Sequence, residues 1–300
     1  MRYIPAASAG LAELNNIDIR KRQVNNLMKE RIISGAALTV LLVAVVVFNN
    51  SFPIALNISI ALVSALAVYE LIKALDLHKN MVLMLPSVVT AAAVPFTFDQ
   101  NLVFVIYCVY TAMLFSAMLR YYKTMTFKEV AIVYSMAILI PLGLRTLVAI
   151  RNIGNLHGMF YVFIAILAAW FADVGAYFAG TFFGKHKLCP NISPKKTVEG
   201  AIGGAIVNML LIMGCGLLFS KLANADGAMN YLVLAGIGLL GTGTSILGDL
   251  SFSLIKRSCQ IKDFGQVIPG HGGILDRFDS VIFTAPFVYI LVLYFPIVMA

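Results

Sequence analysis

Residues 158–183 read GMFYVFIAILAAWFADVGAYFAGTFF, 26 residues with one charge, Asp173. A helix needs about 20 mostly apolar residues to cross the hydrocarbon core of a bilayer. This run is apolar on every side, so it carries neither the alternation of a barrel strand nor the stripe of a surface helix. Lipid offers no partner to a free N–H or C=O, and a helix satisfies all of its own.

Working outward, comparable runs occur at 32–49, 53–75, 81–98, 101–119, 129–150, 200–220, 228–250 and 279–298. With 158–183 they make nine. The run 81–98 is interrupted by Pro86 and Pro95. The whole chain of 300 residues is 60% hydrophobic and 12% charged. Soluble domains hold about 45–50% apolar and about 25% charged residues. The composition therefore excludes a soluble globular protein and a disordered chain. The expected fold is all-α: a polytopic integral membrane protein of about nine transmembrane helices. It divides into a polar, basic leader (1–31), five N-terminal spans (32–155) and a C-terminal catalytic region of four helices and two polar loops (156–300).

The net charge of +8 reads as a topology signal and not as affinity for nucleic acid, because Lys and Arg mark cytoplasmic loops. With the N-terminus inside, 19 of the 22 Lys and Arg fall on the cytoplasmic side. Only Arg145, Arg151 and Lys221 fall opposite. The expected topology is N-terminus cytoplasmic, C-terminus outside. The leader has no apolar run of its own and does not read as a signal peptide. Cys108, Cys189, Cys215 and Cys259 form no CxxC pair, so no metal or redox motif follows from them. Gly236-Ile237-Gly238-Leu239-Leu240-Gly241 matches GxGxxG but lies inside a span, where small residues serve helix packing. The sequon Asn191-Ile192-Ser193 falls on the cytoplasmic side of this topology.

The first five spans carry few polar residues and no evident motif; polar residues concentrate after about residue 170. Asp173, Asp249, Asp276 and Asp279 all fall near one membrane face, although the topology was set from Lys and Arg alone. Asp276 and Asp279 are three apart, so a helix aligns them. Gathered carboxylates repel unless a cation lies between them, and hard oxygen donors suit Mg²⁺. The alternative is that each aspartate pairs with a nearby Lys or Arg. Asp249 and Asp276 are the first choices as metal ligands, with Asp279 and Asp173 beside them.

Two basic loops flank these carboxylates. One holds Ser193-Pro194-Lys195-Lys196-Thr197, placed just before an apolar helix whose N-terminus would favour an anion. The other holds Ser253, Lys256-Arg257, Lys262-Asp263 and His271-Gly272-Gly273, with glycines that let backbone approach a ligand. Lys, Ser, Thr and Gly beside a carboxylate cluster describe a site for phosphates plus metal.

The stretch Ser253–Asp279 resembles the signature of the phosphatidate cytidylyltransferases, the CDP-diacylglycerol synthases. Ser253, Lys256-Arg257, Lys262-Asp263, Gly265, Pro269, His271-Gly272-Gly273, Asp276-Arg277 and Asp279 stand at the signature's spacings. Asp173 and the run Ser193–Gly200 look like the same family. The resemblance implies a Mg²⁺-dependent transfer of CMP from CTP to phosphatidic acid, giving CDP-diacylglycerol and pyrophosphate in phospholipid biosynthesis. It implies a cytoplasmic (inner) membrane enzyme with its active site facing the cytosol. Asp249, Asp276, Asp279, Lys256 and Arg257 would be catalytic. Ser193, Lys195, Lys196, Thr197, Ser253, Lys262, Asp263, His271, Gly272, Gly273 and Arg277 would bind substrate. A homodimer is left open, and no nucleic-acid partner is expected. The rival readings are an ion-coupled transporter, since intramembrane carboxylates also line ion paths, and another lipid-phosphate transferase.

Overall fold

The structure, a computed structural model, describes residues 49, 51–97, 99–123, 125–222, 228–265 and 272–299. Its helices are α1 (Ile54–Ala74), α2 (Met81–Ala93), α3 (Gln100–Arg120), α4 (Phe127–Ile153), α5 (Gly158–Phe183), α6 (Val198–Leu222), α7 (Tyr231–Ser258) and α8 (Leu275–Tyr294). All but α2 are long and apolar enough to cross a membrane, seven among the described residues. The chain is thus a mostly helical, polytopic membrane protein.

The expected leader and, apart from Asn49, the expected span 32–49 lie outside the described residues. The run 81–98 forms a shorter unit than expected. α2 has Pro86 inside it, and a 3₁₀ turn, Val94–Phe96, carries Pro95. Thirteen α-helical residues rise only about 20 Å, short of a bilayer core of about 30 Å. The end of this unit is held from α4: the Arg145 guanidinium donates to the Thr97 carbonyl at 3.0 and 3.2 Å.

Local sequence sets several helix starts. Asp99 accepts the Asn101 N–H ahead of α3, and Asn230 accepts the Val233 N–H ahead of α7. Thr126 and Glu129 form a reciprocal capping box at α4. The small strands β1 (Lys187–Cys189) and β2 (Ser193–Thr197) pair antiparallel, with Lys187 opposite Thr197. β3 (Ala228–Met229) pairs with β4 (Val298–Met299). Among the described residues these two short pairs are the departure from an all-helical chain: β3–β4 joins the start of α7 to the end of α8, and the β1–β2 hairpin delivers the basic run directly into α6.

α5 packs on α6, α7 and α8, α6 on α7, and α7 on α8, and α8 also packs on α4 and α1. α5 and α6 approach closely: a Cβ added at Gly204 would meet the Ala176 backbone at 2.9 Å. Small residues of this kind are how helices associate in lipid, where apolar burial gives little drive. One polar knot crosses the contact. The fully buried Asn208 of α6 donates to the carbonyls of Ala168 and Gly238 at 2.8 and 3.0 Å, and lies 3.0 Å from the Thr242 hydroxyl. It fixes α5, α6 and α7 in one register. α3 and α6 bury only 22% of their apolar windows, and the remainder is surface suited to lipid.

Candidate active site

One end of the α5–α8 bundle opens into a cavity of about 700 Å³, within the range of small-ligand sites. α5 brings Asp173, α7 brings Asp249 and Lys256, and α8 brings Asp276, Arg277 and Asp279. The strand β2 brings Ser193, Lys195, Lys196 and Thr197, and the loop after α7 brings Asp263. Two loops and three helix ends thus place five carboxylates and several cations around one space.

The charges are interleaved. Lys196 Nζ pairs with Asp249 Oδ2, both side chains about a quarter exposed or less. Ser253 Oγ lies 3.2 Å from the other Asp249 oxygen. Lys256 Nζ sits 2.8 Å from Asp276 Oδ1 and 3.9 Å from Asp279 Oδ2, and lies 5.5 Å from the centre of the Phe264 ring. Asp173 Oδ1 accepts from the buried Ser245 hydroxyl at 3.2 Å. Both expectations for the aspartates therefore have geometry behind them: they gather, and Asp249 and Asp276 also pair with lysines.

The four aspartates are not equally free. Asp276 is only 3% exposed at its side chain. Its Oδ1 faces Lys256, and its Oδ2 accepts the N–H groups of Phe264 at 2.8 Å and Gly273 at 3.2 Å. Asp276 lines the cavity and also shapes the loop, so as the metal ligand expected beside Asp249 it would share its oxygens with these donors. Among the described residues no three His, Cys, Asp or Glu side chains converge as a ready-made metal cage. Mg²⁺ does not demand one: with phosphate substrates it is commonly held by one or two carboxylates, water and the phosphates themselves. The oxygen donors of Asp249, Asp276, Asp173 and Asp279 around one cavity fit that requirement.

Other predicted residues serve the frame. Thr197 Oγ1 accepts the Gly200 N–H and so caps α6. Arg257 does not line the cavity; its Nε donates to the Ile192 carbonyl at 3.4 Å, linking α7 to the turn between β1 and β2. Lys262 is exposed beside the loop. Gly272 has φ +85°, a conformation open to glycine, and it turns the chain so that successive amides of 273–275 reach carboxylates. His271 lies outside the described residues.

Sequence reasoning gave no site role to two carboxylates that the structure uses, Glu199 of the Ser193–Gly200 run and Glu70. Glu199 accepts the N–H groups of Lys185 and His186 and meets His186 Nδ1 at 2.5 Å, fixing the turn into β1. Glu70 of α1 is 1% exposed, and its oxygens accept the N–H groups of Ile274 at 3.1 Å and Leu275 at 2.9 Å. The N-terminal spans, expected to hold no motif, thus reach the signature loop. A lone acid in an apolar run is the available signal, although Lys73 three residues on gives it the look of an ordinary helix-end charge.

Comparison with known proteins adds to this geometry. The phosphatidate cytidylyltransferase of Bacillus subtilis (strain 168) is 42% identical over 173 residues, 58% of this chain and 62% of that protein. Its namesake in Staphylococcus aureus (strain COL) is 43% identical over 137 residues, covering 46% of this chain and 50% of its own. That of Haemophilus influenzae (strain Rd) is 41% identical over 133 residues, 44% of this chain and 45% of its own. The matched stretch spans about half the length of these curated relatives. The model of the Cytidylyltransferase family matches residues 29–295, the spans and both polar loops together, and the chain belongs to that family.

Proposed function

We propose that this protein transfers CMP from CTP to phosphatidic acid, giving CDP-diacylglycerol and pyrophosphate. The observation that carries the reading is the cavity itself, where Asp173, Asp249 and Asp279 meet Lys195, Lys196 and Lys256 at one end of a membrane bundle. A phosphate oxygen of phosphatidate attacks the α-phosphorus of CTP. The bond from that phosphorus to the bridging oxygen breaks, and pyrophosphate leaves. The attacking oxygen is already anionic near neutral pH, so little proton removal is needed. The barrier is the approach of two anions, and catalysis becomes alignment and charge neutralisation.

The residues divide that work. Lys195, Lys196 and Arg277 hold phosphate oxygens from the rim of the cavity. Lys256, fixed by Asp276, holds a positive charge near Asp279. Thr197 caps α6, and Arg257 ties α7 to the turn that leads into β2. Mg²⁺, held by Asp249 and Asp276 with Asp279 and Asp173 beside them, would offset phosphate charge and polarise the reacting phosphate. The names of the relatives support CTP and phosphatidate as the substrates.

The test follows the label. Purified protein in detergent, given CTP, phosphatidate and Mg²⁺, is expected to move α-phosphate label into lipid and γ-label into pyrophosphate. Transfer of γ-label to lipid would instead reveal a CTP-dependent kinase. The absence of any CTP-dependent product would favour the transporter reading.

The same reading includes the topology: nine spans, the short unit of α2 and its 3₁₀ turn counted as one of them, N-terminus in the cytosol, C-terminus outside, and the cavity open to the cytosol in the cytoplasmic membrane. The excess of Lys and Arg in the loops flanking the cavity supports it. Reporter fusions after residues 188 and 300 are expected to report opposite sides. Both on one side would overturn this orientation.

A further inference from the structure

We propose that Glu70 is a positioning residue of the active site: a carboxylate from the N-terminal half that holds the signature loop and the start of α8 in place. This rests on the nucleotidyl-transfer reading above.

Three observations meet at this side chain. First, α8 starts without a local cap. Ile274 precedes it and offers no polar side chain, yet Ile274 and Leu275 present free N–H groups at the positive end of the helix. Glu70, more than 200 residues earlier in the chain, accepts both. Second, the loop is shaped around this carboxylate. A Cβ at Gly265 would run into Glu70 Oε1, and one at Gly273 would come within 2.6 Å of Oε2. Two glycines of the signature are therefore the space into which Glu70 fits. Third, the next amide toward the loop, Gly273 N–H, goes to Asp276, as does Phe264 N–H. Glu70 and Asp276 divide the amides of one turn between them, and Asp276 in turn anchors Lys256.

The consequence is mechanical. Glu70 touches no cavity space of its own, but the amides it holds belong to the turn that places Asp276, and through it Lys256 and Asp279. The N-terminal spans are thus a template against which the catalytic loop is set, in addition to a membrane anchor.

The test uses full-length protein in detergent. Glu70→Gln keeps the size but puts an NH₂ group against an N–H donor, so at most one of the two bonds survives. Turnover is expected to fall at least tenfold, with KM for CTP changed less than turnover. Amide exchange of a peptide covering 272–278 should accelerate, while α3 keeps its protection. Glu129→Gln, in the exposed capping box of α4, is the control and should match the wild type. If Glu70→Gln cannot be recovered folded, Gly265→Ala approaches the same contact from the loop side. Its loss should be partly reversed by Glu70→Asp, which withdraws the carboxylate by one carbon. Wild-type turnover in Glu70→Gln, unchanged exchange at 272–278, or strictly additive losses for Gly265→Ala and Glu70→Asp would overturn the proposal. Failure of the wild-type protein itself to form a CMP-bearing lipid would overturn the reaction assigned above; the exchange measurement would then judge the Glu70 tie by itself.

Discussion

Replacing Asp249 by Asn is expected to lower turnover about 10²–10³-fold, the scale seen when one preorganised electrostatic group is removed from an active site. The protein should remain folded. Asn has nearly the size of Asp and still offers Ser253 an oxygen. The lost ion pair with Lys196 joins side chains that are 25% and 21% exposed, but Lys196 Nζ itself is buried, so the loss falls between the roughly 0–1 kcal/mol of an exposed pair and the roughly 3–5 kcal/mol of a fully buried one. Turnover is expected to fall far more than stability at this position. The measurement is CMP-lipid formation against Mg²⁺ concentration, with the detergent elution profile and melting temperature taken on the same sample. Near-wild-type turnover with an unchanged Mg²⁺ response would remove Asp249 from the site.

Lys256→Met is expected to damage both properties. The Lys256 ammonium lies 2.8 Å from Asp276, whose side chain is 3% exposed, and 3.9 Å from Asp279, at 9%. Removing one partner of a buried pair typically costs about 3–5 kcal/mol, because the remaining charge is left uncompensated. Asp276 keeps its two backbone donors, Phe264 and Gly273, which places the expected loss near the lower end, about 3 kcal/mol. Adding Asp276→Asn removes the nearer and more buried of the two carboxylate charges left without the lysine. The double variant should regain most of the stability in a denaturation titration while remaining inactive. A single variant as stable as the wild type would show that the cavity hydrates these carboxylates well enough without the lysine.

What could be read without coordinates depended on the range of the interaction. Helices such as α5 and α7 were legible because their apolar runs answer to the bilayer alone. The four aspartates could be gathered at one end by counting spans and charges. The short α2 was less so: Pro86 and Pro95 announced an interruption, but the Arg145–Thr97 tie comes from a helix some 50 residues later. The strand β2 was invisible, since Ser193-Pro194-Lys195-Lys196-Thr197 has no alternation and pairs only because β1 lies opposite. Within the site, the sequence located Asp276 but not its bonds. Hydrogen-bond partners are tertiary facts, and the carboxylate that also accepts from a loop amide looks the same in a string as one that faces a ligand. Arg257 is the converse case: a basic residue in the right motif whose Nε donates to the Ile192 carbonyl.

Glu70 also sets an order in time. The ribosome makes it 204 residues before Ile274. At about 5–20 residues per second, the carboxylate waits roughly 10–40 s inside the nascent bundle before its amide partners exist. Until the last helix emerges, the early helices carry an acid whose place is empty. A chain stopped short of residue 274 would keep that acid permanently without its amides, a buried carboxylate that only the finished fold satisfies.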